Sequence, residues 1–241
     1  MKKVLITGAN KSIGFETARQ LSGKGFFIYL GSRDMEKGRE AVANLKSEGF
    51  ENIELLPIDV SDIASIKAAR QQIDSLDVLI NNAGISGGFP QNTEAVGIDI
   101  IRKVFDTNFF GTINVTNAFI DLLKLSKEPR IVNVTSGLAS LTKHSDPSWK
   151  YYNIKGAAYG PSKTALNAYT VVLAYELKDT AFKVNAVDPG HTATDFNRHR
   201  GTGTVEDAAK IIVKYATVGA DGPNGMFFSN DAEGPTDVYP W

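Results

Sequence analysis

Val4-Leu5-Ile6-Thr7-Gly8-Ala9-Asn10-Lys11-Ser12-Ile13-Gly14-Phe15 is an apolar β-type run that breaks at a glycine and passes directly into a helical pattern. The order reads as strand, tight turn and helix. Gly8 lets the backbone bend where a side chain would block a ligand, and Gly14 lets the helix pack close to the strand. The N–H groups that open the helix, around Ser12 to Gly14, have no partner inside it and carry the positive end of its dipole. They suit a pyrophosphate seated above the turn. The spacing Gly8-x3-Ser12-x-Gly14 differs from the G-x-G-x-x-G dinucleotide fingerprint, and an ordinary tight turn between strand and helix accounts for it equally well until the downstream residues are read.

Downstream, strand and helix patterns alternate. Ile13, Thr17, Ala18 and Leu21 recur at helical spacing until Gly23 and Gly25 stop them, and Phe26–Leu30 is a second strand followed by a helix to about Lys46. Ile53–Ile58 is a third strand, with Ser61 placed to cap a helix carrying Ile63, Ile66, Ala69 and Ile73. Asp77–Ile80 is a fourth, ending in Asn81-Asn82-Ala83-Gly84. A helical stretch from about Thr93 to Leu125, broken near Thr107-Asn108, leads to a fifth strand, Arg130–Val134, which delivers Thr135-Ser136-Gly137. Leu141 to Gly156 has no period and reads as a surface insertion. A helix from Ala157 to about Leu177 and a strand from Phe182 to Val187 follow. A last helix carries Val205, Ala208, Ala209 and Ile212 behind a capping box at Thr204, and Gly225–Phe228 is a last strand. Such alternation indicates an α/β fold: one doubly wound parallel sheet over residues 1–241, with ligands beyond the carboxyl ends of its strands.

Composition narrows the function classes. Hydrophobic content of 42%, charged content of 22% and a net charge of −1 describe a soluble globular protein and give no electrostatic reason to expect nucleic acid or an anionic membrane as partner. The chain has no cysteine, which excludes disulfides and thiolate chemistry and fits a cytoplasmic setting. His144, His191 and His199 lack metal-ligand spacing, so no metal site is expected. The apolar run after Lys2-Lys3 ends at Ile6, too short for a signal peptide or a membrane span.

Tyr159 and Lys163 stand four apart in a helical context, so both leave one face. A phenol with a pKa of ~10 is a poor acid–base group near neutrality, and an adjacent ammonium would lower that value. Such a tyrosine can exchange a proton with a carbonyl or alcohol oxygen. Ser136, from a different strand end, could hydrogen-bond the same oxygen. Taken alone, a Tyr-x-x-x-Lys pair is more often a partly buried aromatic beside a solvated lysine.

Taken together, Thr7-Gly8-x3-Ser12-Ile13-Gly14, Asp59-Val60, Asn81-Asn82-Ala83-Gly84, Asn108, Ser136, Tyr159-Gly160-Pro161-Ser162-Lys163 and Pro189-Gly190-x3-Thr194 resemble the short-chain dehydrogenase/reductase family over nearly the whole chain, with carbonyl reductases nearest in character. The resemblance implies a Rossmann-type fold, with Tyr159 as proton donor and Lys163 lowering its pKa and holding the nicotinamide ribose. Ser136 would orient the carbonyl and Asn108 would anchor a water relay. It further implies a cofactor seat made of Gly8, Asn10, Lys11, Ser12, Ile13, Gly14, Pro189 and Gly190, with Asp59 and Val60 against adenine, Asn82, Ala83 and Gly84 lining the cofactor, and Thr192 and Thr194 at the carboxamide. Two departures stand out. Ser12 occupies the family's middle glycine position, and Ser136 and Tyr159 lie farther apart than in most members.

An acidic residue after the second strand would bind the ribose 2′-hydroxyl of NAD, but Gly31-Ser32 here precedes Arg33, whose guanidinium suits a 2′-phosphate, with Lys11 able to approach from the other side. NADP(H) is therefore the expected cofactor, and an NADPH-dependent reduction of a ketone or aldehyde the expected activity. A dinucleotide-sensing protein without catalysis and a methyltransferase on a similar sheet are the readings from other classes. Homo-oligomerisation through helices Asn108–Leu125 and Ala157–Leu177 is the family's habit. A second pair, Tyr151 and Lys155, has the same spacing as Tyr159 and Lys163, but Pro147, Asn153 and Gly156 put it in a loop.

Overall fold

A computed structural model describes residues 1–241. The strands are β1 (Lys3–Ile6), β2 (Phe27–Ser32), β3 (Ile53–Pro57), β4 (Val78–Asn81), β5 (Arg130–Val134), β6 (Lys183–Asp188) and β7 (Phe227–Ser229). All pair in parallel, in one sheet of order β3-β2-β1-β4-β5-β6-β7. Helices α1 (Ser12–Gly23), α2 (Met35–Ser47), α3 (Ile63–Arg70), α4 (Ile98–Phe105), α5 (Gly111–Leu123), α6 (Leu141–His144), α7 (Tyr159–Glu176) and α8 (Val205–Ala216) connect them.

Both faces of the sheet are covered, which is why its strands are almost uninterrupted apolar runs. Alternate residues divide between two cores. Val4, Ile6, Ile28, Leu30 and Val132 pack with Leu21 of α1, Leu45 of α2 and Ile212 of α8. Leu5, Tyr29, Leu79, Ile131 and Val184 pack on the other side with Ile66 of α3, Phe119 of α5 and Leu173 of α7. The strand order reverses between β1 and β4, whose ends are level, Ile6 beside Ile80. β5 and β6 are level too, Val134 beside Val187. The residues just past these ends therefore emerge along one edge, at the position where doubly wound sheets bind ligands.

Several local expectations need correction. The helix expected from Thr93 begins at Ile98, and its break is a π-helical turn over Asp106–Phe110. Asp62, not Ser61, caps α3: the helix begins at Ile63, so Asp62 holds the cap position and accepts from the Ala64 N–H at 2.8 Å, while Ser61 donates its N–H and hydroxyl to the Asp59 carboxylate at 2.9 and 2.6 Å. The helix expected from Ala157 starts at Tyr159, two residues later. The 141–156 segment is more than a surface loop: it opens with α6, capped by Ser140, and buries Trp149 edge-on to His144 and Tyr151 at 5.2 and 5.5 Å. No helix is long and apolar enough to cross a membrane.

Candidate active site

The turn after β1 is fixed from β4. The Asn82 side-chain amide donates to the carbonyls of Thr7 and Gly8 at 2.9 and 3.0 Å, while the Thr7 hydroxyl accepts from the N–H groups of Asn82 and Ala83, both at 3.0 Å. A Cβ at Gly14 would lie 2.5 Å from Asn82 Nδ2 and 2.6 Å from the Gly8 carbonyl oxygen, so only glycine fits this crossing of helix and turn. Ser12 has φ +51°, a left-handed conformation that costs a residue with a Cβ about 1–2 kcal/mol. The backbone thus keeps the glycine-like path at the family's middle glycine position. No side chain caps α1, so its opening N–H groups face the cleft without one.

At the outer end of the cleft, Arg33 follows β2 and lines the wall. Its neighbour Asp34 caps α2 through the Lys37 N–H at 3.1 Å and pairs with Lys37, leaving the guanidinium to the cleft. Burial opposes ionisation of Asp59, but the hydrogen bonds from Ser61 and the nearby Arg33 prevail and hold its carboxyl below the ordinary value. Lys11 reaches across the mouth to Asp195 at 2.8 Å, an exposed ion pair between the first turn and the loop after β6.

At the inner end, Tyr159 opens α7 and Lys163 stands one turn on, its Nζ 6.0 Å from the Tyr159 ring centroid. Lys163 Nζ donates to the Val134 carbonyl at 2.7 Å. Burial pushes this amine down to about 8, against an opposing pull from Asp188. Burial pushes the Tyr159 phenol above its ordinary value, Asp188 adds to the rise, and the Ser136 hydroxyl works against both. The Lys163 ammonium is directed to the carbonyl at the end of β5, and burial is the largest influence on the phenol. Ser136 Oγ accepts from the Leu138 N–H at 3.2 Å.

Asn108 sits fully buried in the π-helical turn, a distortion often found at functional sites. Its Oδ1 accepts from the Ile85 N–H at 2.8 Å, and its Nδ2 donates to the Ile85 carbonyl and to Ser162 Oγ, each at 3.0 Å. A Cβ on Gly84 would meet Asn108 Oδ1 at 3.3 Å and Lys163 Nζ at 3.5 Å, so the two side chains face each other across a bare backbone. Asn108 stands behind the wall. The other residues singled out from the sequence all line one cleft of about 1250 Å³, from Gly8, Asn10, Lys11 and Ile13 past Val60, Ala83 and Gly84 to Pro189, Gly190, Thr192 and Thr194. Thr192 and Thr194 are held by the loop itself, Thr192 Oγ1 donating to the Pro189 carbonyl at 3.3 Å and Thr194 sharing a capping box with Asn197.

Three residues escaped the sequence reading. Gln91 is buried and holds the start of α7, Asp188 is a buried carboxyl at the end of β6, and Phe196 packs its ring 5.1 Å from that of Tyr159. An isolated Gln in a loop gives no pattern to read; Asp188 was visible only as the residue that ends a strand. The decoy pair is not brought together: Lys155 Nζ donates to the His144 carbonyl at 2.7 Å, and the cation over the Tyr151 ring, at 4.8 Å, is Lys150.

The family model described as short chain dehydrogenase matches residues 2–204. The chain belongs to the short chain dehydrogenase family. Among relatives in that family, (+)-neomenthol dehydrogenase of Capsicum annuum is 34% identical, with 93% of this chain and 94% of that protein aligned. Salutaridine reductase of Papaver bracteatum is 31% identical over 95% of this chain and 94% of its own length. The structure of salutaridine reductase from Papaver somniferum superposes with a TM-score of 0.80 at 30% identity, covering 95% of this chain and all (100%) of that one. NADPH-bound carbonyl reductase from chicken fatty liver has a TM-score of 0.83 at 24% identity over 100% of this chain and 99% of that one, a likeness of fold. The alignment to the neomenthol dehydrogenase runs over 297 positions against a chain of 241, so that short chain dehydrogenase carries segments this one lacks.

Proposed function

We propose that this short chain dehydrogenase reduces a ketone or aldehyde to an alcohol, reversibly, with NADPH as reductant. The observation that carries the reading is the arrangement of the cleft. A half-buried Tyr159 with the buried Lys163 one turn on, beside Ser136, closes one end, and an uncapped helix N-terminus with an unpaired arginine forms the other.

The donor set fits a phosphorylated dinucleotide. The α1 N–H groups would seat the pyrophosphate, Arg33 and Lys11 a 2′-phosphate, Val60 the adenine, and Thr192 and Thr194 the carboxamide. When bound, NADPH supplies the hydride. Tyr159, kept protonated by its surroundings, donates to the carbonyl oxygen as negative charge gathers there, and the Ser136 hydroxyl holds that oxygen in place. Lys163 would supply positive charge and contact the nicotinamide ribose, with Asn108 behind it. Phe89, Leu138, Ile154 and Phe196 give the substrate mouth apolar walls. Relatives named as a neomenthol dehydrogenase and a salutaridine reductase support chemistry at an alcohol or carbonyl carbon.

A panel of ketones, aldehydes and quinones followed by NADPH consumption tests the reading. Turnover of at least one carbonyl class is expected. NADPH binding with no turnover across the panel would instead favour a dinucleotide-sensing protein.

A further inference from the structure

Lys163 is only 4% exposed, yet it belongs to none of the chain's close ion pairs. A buried ammonium satisfied by one carbonyl still needs negative charge nearby to stay ionised. The strand register identifies the source. Lys163 Nζ is docked on Val134, the last residue of β5, and Val134 lies beside Val187 of β6. The next residue of β6 is Asp188, 3% exposed and lining the same cleft.

The Asp188 carboxylate is held on several sides. Oδ2 accepts from the buried Ser229 hydroxyl at 2.6 Å, and Oδ1 accepts from the Gly190 N–H at 3.0 Å. The Gly137 backbone N–H also points to it, and a Cβ on Gly137 would come within 3.2 Å of Oδ2. One carboxylate thus joins the residue after Ser136, the start of the loop that carries Thr192 and Thr194, and the end of β7. We propose that Asp188 is a positioning residue of this centre: it supplies the fixed counter-charge for Lys163 and clamps the Ser136 corner to the loop after β6. The inference rests on the proposed function for its catalytic meaning and on geometry alone for its physical content.

The groups that share its surroundings are Lys163 and Tyr159 from α7, Tyr151 from the segment before α7, Tyr239 near the end of the chain and Asp231 after β7. Lys163 is the buried cation among them; the exposed Lys150 pairs with Asp231 at 2.6 Å and lies 4.8 Å from the Tyr151 ring, and His191, in the loop after β6, packs its ring 5.7 Å from that of Tyr151. Burial raises the Asp188 carboxyl to about 6 while the Lys163 ammonium persists to about 8, so both carry charge between those values.

The pair can be followed in the whole protein without substrate, by NMR of the lysine side chains, with the Lys163 signal identified by its loss in Lys163→Met. In the wild type the signal should titrate near pH 8 and show a smaller step near pH 6 as Asp188 takes up a proton. In Asp188→Asn the small step should vanish and the main midpoint fall by about one pH unit. Ser229→Ala keeps the charge but removes a hydrogen bond that favours it, so the small step should move to higher pH, a readout that stands even if Asp188→Asn does not fold. A wild-type signal with no step near pH 6, or an unchanged midpoint in folded Asp188→Asn, would overturn the proposal. Absence of carbonyl turnover would count against the proposed function and leave these titrations unaffected.

Discussion

Gln91 Oε1 accepts hydrogen bonds from the backbone N–H of Tyr159 at 3.1 Å and of Ala158 at 3.2 Å. The residue before α7 is an alanine and cannot cap it, so a side chain 68 positions away does so. The other end of the amide donates to the carbonyls of Ser86 and Gly88 at 2.5 and 2.7 Å. Gln91→Leu would leave buried N–H groups without an acceptor, at a cost of about 1–3 kcal/mol. Turnover should fall more than NADPH affinity does, because Tyr159 moves with the helix start and the α1 turn does not. Thermal denaturation and steady-state kinetics check both parts.

Gly14→Ala places a methyl 2.5 Å from Asn82 Nδ2 and should break the link between the β1 turn and β4, costing about 1–3 kcal/mol and weakening NADPH binding. Ser12→Gly should act in the opposite direction. Relief of a left-handed serine, about 1–2 kcal/mol, exceeds the added unfolded-state freedom of glycine, about 0.5–1 kcal/mol, so a small net gain is expected. Urea midpoints and fluorescence titration of NADPH distinguish the two variants.

NADPH should be used in preference to NADH. Arg33→Ala should raise the KM for NADPH roughly ten-fold or more, the scale of one lost hydrogen bond to a charged group, and leave that for NADH nearly unchanged. Equal efficiency of the wild type with both cofactors would contradict the assignment of Arg33.

The buried Lys163 gives stability a pH dependence of known sign. Its folded value near 8 lies below the ordinary 10.5, so between these values the unfolded chain binds more protons and stability from this group rises with pH. Lys163→Met removes the contribution. Its stability relative to wild type should be most favourable below pH 8 and should decline as pH rises toward 10.5. Chemical denaturation across that range measures the difference.

Val171, Val172 and Tyr175 on α7, with Phe110 beside α5, stand exposed. A twofold interface along these helices would cover them, and light scattering should give twice the 26.1 kDa of one chain. A single-chain mass at high concentration would contradict this.

The sheet was readable because each strand is buried on both faces and each helix on one, which writes two different periods into the chain. Val4–Ile6 and Ala18–Leu21 are examples. The cleft was readable because glycines and strand-end residues mark where backbone must approach a ligand, as at Gly14 and Asn82. What escaped depends on contacts between distant parts of the chain. Ser61 has the chemistry of a cap, but the helix begins one residue later and Asp62 takes the position, leaving Ser61 to bond the Asp59 carboxylate. Trp149 sits in a segment without periodicity and finds its burial against Gly137 and the aromatic residues around it. That Lys163 turns to the Val134 carbonyl depends on how α7 sits against β5, which spacing cannot tell.

The central claim is that Tyr159 is the acid, and the chain contains its own control. Tyr159 opens a helix with Lys163 one turn on, whereas Tyr151 sits in a turn, ringed by Trp149 and His191, with Lys155 directed elsewhere. The decisive measurement is kcat for Tyr159→Phe and Tyr151→Phe on one carbonyl substrate, with NADPH dissociation constants taken alongside. Tyr159→Phe should lose a factor on the order of a hundred to ten thousand with NADPH binding kept, and Tyr151→Phe should stay within a few-fold of wild type. The reverse order, with Tyr151→Phe the inactive variant, would contradict the assignment of the catalytic pair.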